Sequence, residues 1–337
     1  MSTAKRPGIE DVAHAAGVSH QTVSRVLNDS PSVLSETRAR VLQAIASLGY
    51  RPNAAARALA SRRSGVIGVL AMESTLYGPA STLYAIERAA RDAGYFVSVA
   101  AIDLNSNQGI SSALDRLTLQ GVEGVIAIVP LTGAAEVLAT VASDIPVVVT
   151  QGDDGTDRPA VAVDQVLGAE LATSHLLAQG APTVWHIAGP EGWLEANRRI
   201  EGWHETLTSH GAEIPELLRG DWSPQSGYVQ GRRLAEQKDV RAVFVANDHM
   251  ALGLLRAFNE HGVRVPEDVL VAGFDDIPEA AYFTPPLTSV RQDFLAVGQR
   301  AIGLLLDEIT GATGKPRKIL VEPVLVPRQS TGGLAPT

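Results

Sequence analysis

Arg199, Trp222, Asn247 and Asp275 are the residues whose types most invite a chemical reading. Asp and Asn accept hydrogen bonds while Arg and Asn donate them, and a polyol needs both because every hydroxyl donates and accepts. Trp222, within GDWSPQSG, adds a flat apolar face for the C–H side of a sugar ring. Asn247-Asp248 and Asp275-Asp276 each close a short apolar run, and Arg199 stands in NRRIEGW. A second group lies near the start of the chain. In HQTVSRVLN (20–28), Val23, Val26 and Leu27 form an apolar helical stripe and leave His20, Gln21, Ser24 and Arg25 opposite it. Gln matches adenine and Arg matches guanine in the DNA major groove, so Gln21 and Arg25 are the expected readers of base sequence.

Other chemistries find no residues to carry them. The chain has no cysteine, which removes disulfides, thiolate metal sites and cysteine nucleophiles together. No G-x-S-x-G elbow, phosphate loop or G-x-G-x-x-G run stands at a strand-to-helix turn. His204, Glu205 and His210 form a metal-like string, but a six-residue spacing points the two imidazoles in different directions on a helix. They read as solvated helix residues. No catalytic residue, cofactor or metal is therefore expected.

The elements that must position these residues follow from length and patterning. At 337 residues the chain is too long for one compact core and predicts two or three units, with 45% hydrophobic and 19% charged residues as in ordinary globular proteins. The acidic pair Glu10 and Asp11 interrupts the N-terminal segment before any apolar run, and no stretch reaches 18 uncharged apolar residues. Neither a secretion signal nor a membrane span is expected, and a cytoplasmic location is. The net charge of -9 is unevenly spread: residues 1–63 hold nine Lys/Arg against four Asp/Glu, a net of +5, which leaves -14 for the remainder. A basic head on an acidic body is the pattern of a small polyanion-binding module joined to a larger unit with another task.

Within the head, Ile9, Val12, Ala13 and Ala16 recur at helical spacing until Gly17-Val18-Ser19 supplies a breaker and an N-cap. A second helix from about His20 then makes a helix-turn-helix, whose second helix presents its N-terminal residues to base edges. A third helix over 37–49 is expected to add Val41, Leu42, Ile45 and Leu48 to a small core. From Ser64 onward, apolar runs at 66–72, 96–101, 124–129, 146–150 and 160–164 alternate with amphipathic stretches. A second series at 183–189, 242–247 and 269–275 alternates with helices near 167–179, 195–209, 225–237 and 248–261. The fold class is α/β, with two doubly wound parallel-sheet lobes behind the helix-turn-helix head. Open sheets of this kind bind ligands outside the carboxyl ends of their strands, which places a site in a cleft between lobes.

The run IEDVAHAAGVSHQTVSRVLN, followed by TRARVLQAIASLGYRPNAAARALASRRSGVIGVL, resembles the head and hinge of the lactose/galactose repressor family of bacterial transcriptional regulators, and the likeness extends along essentially the whole chain. The resemblance implies a DNA-binding head (1–50), a hinge (51–63), an N-terminal lobe (64–164 and 292–325), a C-terminal lobe (165–291 and 326–330) of periplasmic-binding-protein-like fold, and a tail (331–337). The chain would cross between lobes near 164, 291 and 325. Leu34 departs from the family's Ser at the cap of the third helix, and Ser35 is expected to cap it instead. DNA contacts are expected from Ser19, His20, Gln21, Thr22, Ser24, Arg25, Asn28 and Tyr50. In the hinge they are expected from Asn53, Ala56, Arg57 and Leu59, with Leu59 where the family's intercalating leucine sits.

By the same resemblance the effector pocket would be lined by Leu76, Tyr77, Pro79, Gln151, Trp193, Arg199, Trp222, Asn247, Asp275, Gln292 and Phe294. Tyr77, Gln151 and Ile128 replace a histidine, an aspartate and an asparagine of the family's lactose-responsive pattern, and Trp193 and Glu195 replace small polar residues. The sugar is therefore open, with a galactoside as one candidate, while Trp222 in place of Phe disfavours a purine. The closing PVLVPRQSTGGLAPT has no leucine heptads of the kind a tetramerising coiled coil needs, so a homodimer is expected. Together these imply a repressor of double-stranded, pseudo-palindromic operator DNA that is released by a small carbohydrate. A corepressor-dependent regulator and a sugar-binding protein without DNA function are the alternatives.

Overall fold

The computed structural model describes residues 7–27, 29–50, 63–72, 75–102, 109–134, 138, 145–150, 158–312 and 317–332. The chain divides into two compact units, Met1–Ser64 and Gly65–Thr337. Asn28, Asn53, Ala56, Arg57, Leu59 and Gln151 lie outside the described residues, as does most of the expected hinge.

The first unit is three helices, α1 (Ile9–Ala16), α2 (His20–Leu27) and α3 (Ser35–Leu48). Gly17 ends α1 with a left-handed φ of 66°, and Ser19 caps α2 by accepting a hydrogen bond from the Thr22 N–H at 3.2 Å. Their apolar stripes meet α3 in a core of Val12, Ala13, Ala16, Val23, Val26, Val41 and Ala44. Two expectations for α3 need correction. Ser35 is already helical and the cap position belongs to Leu34, which supplies no side-chain hydrogen bond. Leu42 and Leu48 point outward, Leu42 at 52% exposure, while Ala44 takes a core position. The partner helices are only eight residues each and cover a narrower stripe of α3 than its leucines span.

The second unit alternates strand and helix. Its first sheet comprises β1 (Val66–Met72), β2 (Phe96–Ile102), β3 (Val125–Ile128), β4 (Val147–Thr150), β5 (Ala160–Val163) and β11 (Lys318–Val321), ordered β11-β5-β4-β3-β1-β2 and parallel throughout. Helices α4 (Tyr77–Asp92), α5 (Gly109–Leu119) and α10 (Phe294–Thr310) pack with it. The second sheet comprises β6 (Trp185–Ala188), β7 (Leu218–Arg219), β8 (Ala242–Val245), β9 (Leu270–Asp275), β10 (Thr288–Arg291) and β12 (Val324–Val326), ordered β12-β10-β9-β8-β6-β7. Only β12 runs antiparallel, against β10. Helices α6 (Gln165–Ala178), α7 (Leu194–Ser209), α8 (Pro224–Ala235) and α9 (Asp248–Glu260) belong to this sheet. The central strands are buried on both faces, as parallel sheets covered by crossover helices must be. Among the described residues no helix is long and apolar enough to cross a membrane.

The chain passes between sheets three times. It crosses after β5, again between β10 and α10, and last between β11 and β12. The last passage comes at Glu322-Pro323 rather than near 325, because Val324 and Leu325 already pair with Arg291 and Val290. Four strands had no expected counterpart: β7, β10 and β12 of the second sheet and β11 of the first, each two to four residues long.

The α8 and α9 packing sets the floor of the later site. A Cβ on Gly253 would stand 1.9 Å from the Pro224 carbonyl oxygen, and one on Gly227 would stand 2.0 Å from that of Met250. The two helices therefore touch backbone to backbone, which holds Trp222 and Asn247, just before their N-termini, in register. Gly253→Ala should lower stability in chemical denaturation by on the order of 1–3 kcal/mol, the usual cost of overpacking. An unchanged midpoint would mean that the helices separate freely.

Candidate functional site

The head presents one face without apolar packing. His20, Gln21 and Arg25 are exposed on α2, Ser24 is half-buried beside them, and Ser19 opens the helix. Thr22 is half-buried, its hydroxyl 3.0 Å from that of Ser19. Tyr50 packs partly against the head's core. The Arg38 guanidinium donates to Asp29 at 2.6 Å and to the Ser30 carbonyl at 2.7 Å, which fixes the turn between α2 and α3. A short, rigidly mounted helix with Gln and Arg one turn apart can offer bidentate donors and acceptors to base edges.

In the second unit the strand ends of both sheets converge on a narrow cleft. One wall is Leu76, Tyr77, Gly78 and Pro79 at the start of α4; the other is Trp193, Glu195, Arg199, Trp222, Asn247 and Asp275, with Gln292 from the second crossing. The sequence-derived set is thus brought together with two exceptions. Gln151 lies outside the described residues. Phe294 faces a broader neighbouring hollow, also lined by Tyr84, Arg88, Arg291 and Leu295, where its ring meets Tyr77 edge-on at 5.9 Å. It is the first residue of α10, which Asp293 caps by accepting from the Ala296 N–H at 2.9 Å. The hollow is the larger space, but the buried polar groups converge in the cleft, and convergence is what orients a ligand.

Arg199 is the centre of the cleft. It is 2% exposed, with its guanidinium carbon 3.8 Å from the centroid of the Phe274 ring and 5.5 Å from that of Trp222. Its Nε donates to Gln165 Oε1 at 2.8 Å, one terminal nitrogen donates to the Ala246 carbonyl, and the other stands 4.0 Å from Asp275 Oδ1. Gln165 Nε2 donates in turn to Gln292 Oε1 at 2.9 Å, and Gln292 Nε2 to Asp275 Oδ1 at 2.7 Å. The ring Arg199–Gln165–Gln292–Asp275 therefore joins two of the three lobe crossings to the cleft. Burial pushes Asp275 up to about 7, against the downward pull of Arg199, and the Glu195 charge adds to the rise. Burial likewise raises Glu195, again opposed by Arg199.

The aromatic and amide residues are positioned by strain and caps. Trp222 has a left-handed φ of 73°, and its indole lies so close to Gly189 that a Cβ there would come within 2.2 Å. Asp275 and Asp276 follow with φ of 106° and 50°. Left-handed non-glycine residues cost on the order of 1–3 kcal/mol each and gather where a site requires them. Trp193 meets Trp222 edge-on at 5.6 Å, and its neighbours strap the lobes together: the Leu194 N–H donates to the Pro130 carbonyl at 2.8 Å and the Thr132 N–H to that of Gly192 at 2.9 Å. Asn247 caps α9 through the Met250 N–H at 2.9 Å and donates to the Trp222 carbonyl at 3.1 Å.

Two neighbouring aspartates do not face the cleft. Asp248 accepts from the Ser289 hydroxyl at 2.6 Å and the Ile277 N–H at 2.9 Å. Asp276 is bound by Arg291 at 2.6 Å and Arg328 at 2.7 Å, beside the crossings. Two functional candidates were missed as such: Glu195, visible only as a departure from a small polar residue, and Gln165, which nothing in its local pattern marks. His204 and Glu205 are exposed on α7, and among the described residues no cluster could hold a metal ion.

Comparison with known proteins agrees with this architecture. The family described as "Bacterial regulatory proteins, lacI family" matches residues 8–53, and the "Periplasmic binding protein-like domain" matches residues 173–331. The lactose operon repressor of Escherichia coli (strain K12) is 36% identical over 97% of this chain and 90% of its own length. The transcriptional regulator CelR of Thermobifida fusca is 34% identical over 98% of this chain and 100% of its own. Among solved structures, the lac repressor dimer bound to operator and the anti-inducer ONPF aligns with a TM-score of 0.89 at 35% identity, covering 97% of this chain and 99% of that one. A CelR–cellobiose complex aligns with a TM-score of 0.72 at 33% identity, covering 96% and 100%. Head, two-sheet body and similarity along nearly the whole length together show that the chain belongs to the LacI family of bacterial regulatory proteins.

Proposed function

We propose that the chain is an effector-responsive transcriptional repressor that binds a pseudo-palindromic operator as a homodimer and is released by a small carbohydrate in the cleft. The observation that carries this reading is the Arg199–Gln165–Gln292–Asp275 ring, which couples the ligand-facing groups to the segments where the lobes join. A ligand that engages Arg199 and Asp275 differently in two lobe arrangements biases the equilibrium between them, by as much as its affinities differ. The family's solved operator-bound dimer and sugar-bound regulator support the same assignment of partners. Such a repressor acts in the cytoplasm, on the chromosome.

On DNA, two α2 helices would enter successive major grooves with the two-fold symmetry of the site. Ser19, His20, Thr22, Ser24, Asn28 and Tyr50 would contact backbone and base edges around Gln21 and Arg25. The hinge residues Asn53, Ala56 and Arg57 would follow the minor groove, with Leu59 as an apolar wedge between base steps. In the cleft, the indole of Trp222 would stack on the sugar while Arg199, Asn247 and Asp275 bind its hydroxyls. Leu76, Tyr77, Pro79, Gln151 and Trp193 would enclose it, and Gln292 would report its presence to the crossing. Phe294 would act from the neighbouring hollow by holding Tyr77.

Two experiments separate the halves of this reading. With a pseudo-palindromic site selected by the protein from random DNA, Gln21→Ala should weaken binding by about 1–3 kcal/mol, roughly 5- to 150-fold, and leave binding to random duplex nearly unchanged. Equal losses on both duplexes would remove Gln21 from base recognition. In a thermal-shift screen of mono- and disaccharides, a ligand of the native state must raise the melting temperature. Arg199→Ala, checked for retained folding by circular dichroism, should abolish that rise; a full rise in this variant would place the ligand elsewhere.

A further inference from the structure

Glu195 is a buried carboxylate for which the fold supplies no hydrogen bond. It is 8% exposed, lines the cleft, and among the described residues receives no donor; its one favourable partner is the charge of Arg199. That guanidinium is already committed to Gln165 and to the Ala246 carbonyl, with Asp275 beside it. Among the described residues the buried Trp222 indole N–H also has no acceptor. Buried polar groups are normally satisfied, and a carboxyl group that lines a cavity without a protein donor calls for a ligand that donates to it. The electrostatics are specific. Among the described residues lining the cavity Arg199 is the one cation, and it already faces the carboxyl groups of both Glu195 and Asp275.

We propose that Glu195 determines the charge of the ligand this cleft takes: an uncharged or amine-bearing sugar, whose hydroxyl or ammonium hydrogen it accepts, and not a phosphorylated or carboxylated one. This rests on the carbohydrate reading of the cleft given above. An anionic substituent beside Glu195 would be desolvated against a like charge with its only countercharge already divided. A hydroxyl or ammonium group meets an acceptor that no protein donor among the described residues uses. Because the carboxylate holds no part of the fold by hydrogen bonding, Glu195→Gln removes the charge while keeping the shape.

The test is calorimetric titration of the full chain with matched glucose and galactose series, each as the neutral sugar, the 2-amino sugar, the 6-phosphate and the uronate. The wild type should bind the neutral or amino form at least tenfold more tightly than the phosphate and uronate of the same sugar. Glu195→Gln should narrow that ratio at least tenfold. Equal or tighter binding of a phosphate or uronate to the wild type overturns the proposal, and this arm needs no variant to fold. An unchanged ratio in Glu195→Gln, with binding still lost in Arg199→Ala, overturns the role of Glu195 and leaves the carbohydrate cleft standing. If no sugar in the series and no mono- or disaccharide of the thermal-shift screen binds the wild type, the carbohydrate reading falls and the proposal falls with it.

Discussion

A guanidinium buried between two sheets must be compensated where it lies, and the structure of the cleft follows from how this is done for Arg199. Removing such a cation from water costs several kcal/mol unless hydrogen bonds and counter-charges replace the lost solvent. Each replacement comes from a different segment. Gln165 comes from the first lobe crossing, the Ala246 carbonyl from the end of β8, Asp275 from the end of β9, and Gln292 joins from the second crossing. Satisfying one charge thus fixes the relation of two crossings to two strand ends. The aromatic faces of Phe274 and Trp222 close the rest of the shell. The same arrangement that stabilises the cation makes it sensitive to any ligand that competes for its partners.

Much of this architecture is legible in the chain because its long elements are strongly patterned. The run VIGVLAM gives β1 to the residue, and the helices expected near 195–209 and 248–261 differ from α7 and α9 by one residue at one end. The cleft follows too, since the rule that ligands sit at carboxyl strand ends needs only strand positions. What escaped depends on partners distant in sequence. β10 and β12 are defined by each other, 35 residues apart, and the last crossing moved with them. Leu42 reads as a core residue from helical periodicity, but whether α3 buries it depends on how much surface two eight-residue helices can cover. Glu195, in the first turn of a helix, is where a carboxylate ordinarily sits in water beside the helix dipole. Its burial is set by Trp193, Arg199 and the opposite lobe, which no local pattern encodes.

The division of charge acquires a physical meaning in this setting. Under the proposed function, the head and hinge together, with a net of +5 over residues 1–63, would carry the phosphate-binding charge, and the body's -14 would repel nucleic acid from the surfaces that handle the ligand. Affinity for any duplex would then reside in the head and hinge, and readout of major-groove base edges in the few groups on α2. The body would contribute through an equilibrium between lobe arrangements, and the strap from Pro130 and Thr132 to Gly192 and Leu194 holds the lobes together in the one described.

The central claim is that one equilibrium is shared by the cleft and the DNA-binding head. Linkage makes it reciprocal: if a sugar weakens operator binding by a given factor, operator must weaken sugar binding by that same factor. The decisive measurement is calorimetric titration of the sugar that stabilises the protein, performed on the free homodimer and on the homodimer saturated with its selected operator at the same salt concentration. The account predicts a lower affinity on the operator, by the factor by which the sugar lowers operator affinity. Identical sugar affinities with and without operator would contradict it.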